Sequence, residues 1–366
     1  MEKSMYFEYV DKYFPQLVLS IVEKLNDSNR PLSYLYRQLL NKQFSVDGRW
    51  SSVTGKYTRV AADVVSMDSP LPLAKRDALE VQNGFIPKMG IKLALNEKQM
   101  SDIDAMLAQG TPIAQVINVI FEDTPKVIEA IYERIEDAFL RGLSSGVALA
   151  TEAEGNNSVG TRVTYGFKTE NQFGVKVLWD GNASTCKPFD DIKNVMDKAD
   201  ADGNTIINVY ADDKWIDNAC ASEQVRTYYA FAVTGTTVAA SSNIPLLDRT
   251  QLANVLERKY GITLNRVNRS VRTEKNGVQK TVKPWKSGSA TFTCSETVGD
   301  LVYTNLAEST RPVGGVNYQT ADDFILVSKY RENDPIREFT ASQARVVPVI
   351  SNVDAIYTLD STSLQV

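Results

Sequence analysis

Residues 111–146 have the sequence TPIAQVINVIFEDTPKVIEAIYERIEDAFLRGLSSG, in which apolar side chains recur at every third or fourth position. From residue 126 onward, most of the intervening positions are charged. This spacing predicts amphipathic helices with one apolar stripe. Thr111-Pro112 and Thr124-Pro125 each join a capping residue to a proline suited to the first helical turn. Because Pro125 has no N–H group, we predict two helices in tandem or one kinked helix.

The second of these segments is predicted to be the longest regular element of the chain. It would contain about 19 residues and be roughly 28 Å long. It separates an extended region before it from a mixed α/β region after it. We call it the spine helix and predict that both regions are mounted on it, although periodicity alone is equally compatible with an ordinary core helix.

The N-terminal arm, residues 1–44, contains shorter amphipathic segments. Pro15 and Pro31 are each placed to begin a helix, and apolar residues follow each proline at helical spacing. An apolar face on so short an arm must be covered. We therefore expect the arm to dock either on its own chain or on a neighbour.

Extended structure is predicted in two places. Residues 45–97 are rich in short β-type runs, turns and prolines, which predicts a long two-stranded projection with a loose tip. An isolated hairpin is only marginally stable in water, so this one suits a surface that lies on another subunit. A short helix is expected at 98–110. Residues 316–366 return to strands and end in a polar tail that we expect to be frayed.

Residues 185–315 have the pattern of a compact α/β region. A helix is expected to begin at Pro188, and a buried strand should follow it. Asp248 and Gln251 have the spacing of a capping box for a later helix. Asn276-Gly277, between two β-type runs, predicts a hairpin.

The composition excludes several classes of function. The chain has 366 residues, which suggests two domains or one elaborated domain, and its net charge of −5 argues against coating nucleic acid or an anionic membrane. There is no histidine, which removes the usual general base and the commonest zinc ligand. Cys186, Cys220 and Cys294 are far apart and form no CxxC pair, so buried reduced thiols are expected.

Neither a run of transmembrane length nor a signal peptide is recognisable, so we expect the protein to be made and used in a cytoplasm. No motif assembles a catalytic, cofactor or metal site. We therefore expect a protein that is not an enzyme and that needs no cofactor. The unusual features are the apolar arm, the long extended loop and the spine helix, all of which need partners.

The segment between residues 258 and 286 is unusually rich in basic residues. Such a basic segment could contact phosphates, or it could be a solvated hairpin that offsets acidic surface on a neighbour. We favour the second interpretation, because the segment lacks a series of interleaved aromatic side chains for stacking beyond Trp285. The basic residues are Arg258, Lys259, Arg266, Arg269, Arg272, Lys275, Lys280, Lys283 and Lys286.

Several segments of the chain resemble the lambda-type (E family) major capsid proteins of tailed phages. The order of the predicted elements matches that family as well, and the resemblance covers most of the chain. It is firmest between residues 190 and 359. The segments that carry it are DPIREFT at 334–340 followed by 348–357, NGVQK at 276–280 leading to Pro284, and DDI at 190–192 followed by 206–210 and the helix at Trp215.

This resemblance implies an α+β chain with the Hong-Kong-97-type capsid fold. The protein would be the structural major capsid protein of a tailed double-stranded DNA phage or prophage, self-assembling as hexamers and pentamers into an icosahedral head that encloses the genome. The implied regions are the N-terminal arm (1–44), the extended loop (45–97), the peripheral domain with the spine helix (98–184), the axial domain (185–315) and a return to the peripheral domain (316–366).

The implied partners are further copies of the chain, a scaffolding protein, a portal and, in some members of the fold, a decoration protein. The DNA would be enclosed without sequence-specific binding, and no membrane would be involved. The protein would reside in the virion after assembly in the host cytoplasm. Two alternatives are an encapsulin-like nanocompartment shell of the same fold and a nucleic-acid-binding protein that uses the basic segment 258–286.

We further hypothesise an assembly contact in which cations of the extended loop meet the acidic face of a neighbour's spine helix. Each exposed ion pair is weak, but hundreds of repeats add up in a symmetric shell. The cations are Arg49, Lys56, Arg59, Lys75, Arg76 and Lys88, and the acids are Glu129, Glu133, Glu136 and Asp137. Reversing Arg59 and Arg76 to Glu should block shell formation and leave the monomer folded.

Overall fold

A computed structural model describes residues 2–27, 34–55, 79–150, 161–234, 247–275 and 278–365. The chain divides into two compact units. The first unit comprises Met1–Trp50, Gly84–Ala138 and Asp300–Pro348, and the second comprises Ser51–Asn83, Phe139–Gly299 and Val349–Val366.

The helices come from all parts of the described chain. They are α1 (Phe7–Asn26), α2 (Leu35–Leu39), α3 (Glu97–Ala108), α4 (Ile113–Ile120), α5 (Asp123–Ser145), α6 (Pro188–Ala201), α7 (Asp213–Ala221), α8 (Glu223–Thr234), α9 (Arg249–Tyr260) and α10 (Ala307–Thr310).

The strands are numbered in the same way. They are β1 (Leu40–Phe44), β2 (Arg49–Gly55), β3 (Leu79–Phe85), β4 (Lys88–Leu95), β5 (Val147–Ala150), β6 (Thr161–Thr164), β7 (Gln172–Val175), β8 (Asn208–Ala211), β9 (Thr263–Arg266), β10 (Val271–Lys275), β11 (Val278–Val282), β12 (Ser289–Thr293), β13 (Gly299–Thr304), β14 (Asn317–Ala321), β15 (Ile325–Asn333), β16 (Ile336–Ile350) and β17 (Ile356–Leu364).

The spine helix is confirmed as α5, with 23 residues, and α4 precedes it as a separate helix. Its apolar stripe is buried along its whole length, from Val127 through Ile135 to Leu143. Pro125 lies in the first turn, where its missing N–H is not needed. Pro112 lies immediately before α4 rather than inside its first turn, and no side chain caps that helix. The boundary between the two units falls within α5.

The arm prediction is wrong about where its first helix begins. α1 begins at Phe7 and continues through Pro15. A proline inside a helix costs about 3 kcal/mol. Val10, Phe14 and Val18 form one buried stripe across the proline, and each buried apolar side chain contributes roughly 1.5–3 kcal/mol. Burial therefore outweighs the broken backbone hydrogen bond.

The second arm helix was also predicted too long. α2 covers only Leu35–Leu39, because Leu40 already begins strand β1, and Pro31 lies outside the described residues.

The extended loop is confirmed in part. β2 and β3 form a two-stranded sheet of their own, and the predicted tip at 56–78 lies outside the described residues. The run from Lys88 to Leu95 does not belong to that projection. As β4 it pairs antiparallel with β16, with Leu95 opposite Glu338.

The first unit is built on a sheet with the strand order β1-β13-β16-β15-β14, in which β4 also pairs with β16. The hairpin β15–β16 closes at Asn333 opposite Ile336. Helix α3 begins with a capping box between Asn96 and Gln99 and buries Met100 on its apolar face. The short helix predicted at 98–110 is therefore present.

The second unit is built on a five-stranded sheet in the order β7-β17-β12-β8-β9. Helix α6 begins at Pro188 as predicted, and the Asp248–Gln251 capping box opens α9. Gly261, at φ +70°, ends α9 in the left-handed conformation that suits glycine. Around this sheet, Trp179 and Trp215 pack in the core with ring centroids 5.1 Å apart.

The predicted frayed tail is wrong. β17 continues to Leu364, and it pairs with β12 on one side and β7 on the other. The Ser361 N–H donates to the Gly288 carbonyl at 2.9 Å, and the Ser361 hydroxyl donates to the same oxygen at 2.7 Å. A polar tail can be ordered when its hydroxyl groups find backbone partners.

Candidate assembly surfaces

The N-terminal segment docks on its own unit. Glu2 forms a β-bridge and an ion pair with Arg331. The Met5 N–H donates to the Glu338 carboxylate at 3.3 Å, and the Phe14 ring stacks on Phe121 at 6.0 Å. The sequence left two docking partners open for the arm, its own chain or a neighbour. In the described residues, the arm packs on its own chain.

The acidic face predicted for the spine helix is largely used inside the chain. Glu136 accepts hydrogen bonds from the Leu35 and Tyr36 N–H groups at 3.0 and 3.1 Å. Its carboxylate thereby caps the N-terminus of α2, where unsatisfied N–H groups and the helix dipole favour a negative charge. Asp137 pairs with Arg134 at 3.3 Å. Glu136 and Asp137 are each 1 % exposed, which contradicts their predicted exposure to a neighbour.

Glu129 and Glu133 are the two predicted acids that remain half-exposed. Glu133 accepts a hydrogen bond from the Tyr34 hydroxyl at 3.1 Å. Two of the four acids are therefore accessible enough to take part in an intermolecular contact.

Of the predicted loop cations, the structure describes Arg49 and Lys88. The Arg49 guanidinium lies 4.9 Å from the centre of the exposed Phe85 ring. Lys88 forms an exposed ion pair with Glu308 at 3.6 Å, on the sheet rather than on the projection. Lys56, Arg59, Lys75 and Arg76 lie outside the described residues.

Exposed apolar side chains flank the extended loop. Val46 is 90 % exposed, and Phe85 is 72 % exposed at the end of β3. Phe44, also exposed, has its ring edge against Tyr303 at 5.6 Å. Large exposed apolar residues grouped along one loop are typical of surfaces that another protein covers.

Sequence reasoning missed a polar cluster around Asp322. This carboxylate accepts hydrogen bonds from the Tyr132 hydroxyl at 3.0 Å and the Lys42 ammonium at 2.7 Å. Arg37 pairs with it at 3.4 Å, and its guanidinium lies 4.3 Å from the Tyr132 ring centre. Burial raises the pKa of Tyr132, so its hydroxyl stays protonated. The cluster joins α2, β1, α5 and the β14–β15 turn.

Lys329 is a second buried polar group that the sequence did not indicate. Its ammonium donates to the Ile120 carbonyl at 2.9 Å, at the C-terminus of α4, and lies 3.0 Å from the Thr340 hydroxyl. Burial lowers the pKa of Lys329 to about 8, against the opposing pull of Glu338 and Asp123. A cation at this position satisfies a helix-end carbonyl and complements the helix dipole.

The basic segment is partly neutralised within its own unit. Arg266 pairs with Asp213, which also binds Arg249 at 3.0 Å. Lys286 pairs with Asp360 at 2.7 Å. Strands β10 and β11 pair antiparallel with Lys275 opposite Val278, which agrees with the predicted hairpin, although residues 276–277 themselves are outside the described residues.

Within the described ranges, acidic, cysteine and histidine side chains do not gather into a group that could hold a metal ion. Cys186, Cys220 and Cys294 are free thiols, and burial raises the pKa of Cys220 and of Cys294 to about 11. Among the helices of the described chain, none combines the length and the apolar character needed to cross a membrane.

Comparisons with known proteins give one family and a set of similar folds. Residues 53–361 match the family described as phage major capsid protein E. A crystal structure assigned as the capsid protein of an E. coli CFT073 prophage is 11 % identical, with a TM-score of 0.57, and the alignment covers 94 % of this chain and 98 % of that one. No curated protein sequence matched.

A phage-related protein from Bordetella bronchiseptica RB50 is 10 % identical, with a TM-score of 0.51, and the alignment covers 95 % of this chain and 96 % of that one. At these identities the two similarities concern the fold. They agree with the Hong-Kong-97-type capsid fold that the family resemblance implies.

Proposed function

Because this chain belongs to the phage major capsid protein E family, we propose that its copies assemble as hexamers and pentamers into the icosahedral head of a tailed phage or prophage. The family match over residues 53–361 carries this proposal. In this role the chain is a structural protein that encloses double-stranded DNA without reading its sequence, and not an enzyme.

The exposed apolar residues support a role in assembly. Val46 and Phe85 flank the extended loop and would be costly to leave in water at high protein concentration. In a symmetric shell the same patch is covered once per subunit. The burial of one such side chain contributes roughly 1.5–3 kcal/mol, which exceeds the value of a surface ion pair.

We retain the charged assembly contact in a narrower form. Its acids are the half-exposed Glu129 and Glu133 of a neighbour's α5. Arg49, at the start of β2, is the best placed of the described cations, because it is exposed beside the loop and already lies against Phe85. The remaining proposed cations are Lys56, Arg59, Lys75, Arg76 and Lys88.

The regions named from the family remain part of this proposal: an arm, an extended loop, a peripheral domain and an axial domain. So do the scaffolding protein, the portal, the decoration protein and assembly in the host cytoplasm. The nanocompartment alternative gains nothing from the family match, which is to phage capsid proteins. The nucleic-acid-binding alternative depends on the basic segment, which is partly neutralised by Asp213 and Asp360.

Electron microscopy and light scattering on the purified chain, alone and with a co-expressed scaffolding protein, test the proposal. We expect closed shells, or capsomers that convert to shells when the scaffold is present. Arg49→Glu should reduce shell yield severalfold, whereas Lys98→Glu, the same charge change on the exposed face of α3, should not. A chain that stays monomeric under every condition would refute the shell. Equal yields from both variants would refute the charged contact alone.

A further inference from the structure

A row of three charged side chains crosses the sheet of the first unit beside the N-terminus. Glu2 forms an antiparallel bridge with Arg331 of β15, and Arg331 lies directly opposite Glu338 of β16. Residues paired in this way point to the same face of a sheet, with Cβ atoms about 4.5–5.5 Å apart. Arg331 therefore lies between two carboxylates, and all three residues belong to the first unit.

Arg331 uses its guanidinium on one side of this row. It forms an ion pair with Glu2, and the other Glu2 oxygen accepts a hydrogen bond from the Asn333 side chain. The Arg331 Nε and the Glu338 Oε1 are both buried, and within the described part of the chain neither atom has a hydrogen-bond partner. A buried donor and a buried acceptor without partners thus lie on directly opposite residues.

The other oxygen of Glu338 holds residues 2–5, which we call the N-terminal strap. Glu338 Oε2 accepts from the Met5 N–H at 3.3 Å, and the Ser4 hydroxyl is hydrogen-bonded to the same carboxylate. The Glu2 N–H donates to the Arg331 carbonyl at 2.9 Å, and the Arg331 N–H donates to the Glu2 carbonyl at 3.0 Å. The polar contacts of the strap therefore converge on two residues, Arg331 and Glu338.

The strap is separate from the apolar anchor of the arm. The side chains of Glu2 and Met5 are exposed. Burial of large apolar side chains begins at Tyr6 and continues through Val10 and Phe14 of α1. Detachment of the strap therefore leaves α1 packed in place.

Detachment alone would leave a buried carboxylate without a partner, which is strongly unfavourable. Glu338 is 1 % exposed. Lys329 shares its sheet face, but the Lys329 ammonium is bonded to the Ile120 carbonyl and the Thr340 hydroxyl. Arg331 is different, because the departure of Glu2 frees its guanidinium on the residue directly opposite Glu338. A guanidinium can form two parallel hydrogen bonds with a carboxylate.

We propose that Arg331 is a two-position switch that makes the N-terminal strap releasable. With the strap closed, Arg331 binds Glu2, and Glu338 binds Ser4 and Met5. With the strap open, Arg331 binds Glu338. Because one partner replaces the other, opening is a local equilibrium that does not require the unit to unfold. It also uncovers the backbone N–H and C=O groups of Arg331 on the outer edge of β15, where an extended segment of another chain can pair.

Hydrogen exchange of the full-length chain, followed by mass spectrometry on peptides that contain the strap, tests the switch. Glu2→Gln and Arg331→Gln remove the same ion pair of the closed state, but only Arg331→Gln also removes the pair of the open state. Glu97→Gln, the same change at an exposed site on α3, is the control. Exchange of α5 peptides should be the same in every variant, which shows that the fold is intact.

We expect Glu2→Gln to speed exchange of the strap severalfold, as for loss of one exposed ion pair. Arg331→Gln should speed it less, because the open state also loses stabilisation, and Glu97→Gln should leave it unchanged. When both substitutions are placed separately in a Glu338→Gln background, their effects should become nearly equal. A crystal structure of a variant that lacks residues 2–5 should show the Arg331 guanidinium within hydrogen-bond distance of Glu338.

Three results would overturn the inference. Equal acceleration of exchange by Glu2→Gln and Arg331→Gln in the natural background would show that Arg331 only anchors the strap. A difference between them that persists in the Glu338→Gln background would show that Glu338 is not the second partner. An Arg331 side chain directed away from Glu338 in the variant without residues 2–5 would refute the open arrangement directly.

Discussion

The replacement of Lys329 by Met should make the stability of the protein respond differently to pH. Lys329 is fully buried, and burial lowers its pKa from 10.5 to about 8. The unfolded chain keeps this proton up to about pH 10.5, whereas the folded chain releases it above about pH 8. Between these values the unfolded state binds more protons, so the free energy of unfolding rises with pH. The full difference corresponds to roughly 3 kcal/mol.

Near pH 7 two effects of Lys329→Met oppose each other. The variant no longer has to bury a charge, which favours it by roughly 3 kcal/mol. It also leaves the Ile120 carbonyl and the Thr340 hydroxyl without their partner, at about 1–3 kcal/mol for each group. We expect the variant and the natural protein to have similar stability there. By pH 10 the free energy of unfolding of the natural protein should exceed that of the variant by roughly 2 kcal/mol.

Urea unfolding of the unassembled chain at pH 7.5, 8.5, 9.5 and 10, followed by circular dichroism, measures this difference. Comparing two proteins at each pH removes the effect of the buried tyrosines, which is common to both. Lys98→Met, at an exposed site on α3, is the control and should show no such trend. Parallel pH profiles for the natural protein and Lys329→Met would show that Lys329 is not held in a buried, desolvated site.

Two further predictions concern α5. Glu136→Ala should lower the free energy of unfolding by about 2–4 kcal/mol, because two backbone N–H groups of α2 lose their acceptor. Glu257→Ala, at an exposed site on α9, is the control and should have little effect. Thermal and urea unfolding measure both variants. Gly146→Ala should lower the free energy of unfolding by about 1 kcal/mol or more beyond the effect of Gly110→Ala, and thermal melting measures the difference. Both glycines have positive φ, but a Cβ at Gly146 would lie 2.9 Å from the Phe167 ring and one at Gly110 would meet nothing. Equal melting temperatures for the two glycine variants would refute the steric part of this reasoning.

Elements with a local signal could be predicted from the sequence. The buried stripe of α5 follows from side-chain spacing within one helix, and the capping box at Asp248 and Gln251 follows from residues three apart. The start of α1 could not be predicted, because Pro15 has the sequence context of a proline in the first turn of a helix. Only the docking of its apolar stripe shows that the helix begins earlier, at Phe7.

The polar groups could not be assigned in this way, because their partners are distant in sequence. A carboxylate on the polar side of a helix looks the same whether it faces water or caps another helix, as Glu136 does for α2. Asp322 meets cations from α2 and β1, almost the whole chain away. For Lys329 the sequence contains a weak indication of burial, because Lys329 lies two residues after the buried Val327 and therefore on the same face of β15.

The order of strands in the second unit has a consequence for the nascent chain. β17 is the last strand of its sheet to be synthesised, yet it lies between β7 and β12, which are made much earlier. Until it emerges from the ribosome, both of these strands lack a neighbour and expose hydrogen-bonding edges. We therefore expect the sheet of this unit to close only once β17 has been synthesised, and chains that lack β17 to present open strand edges.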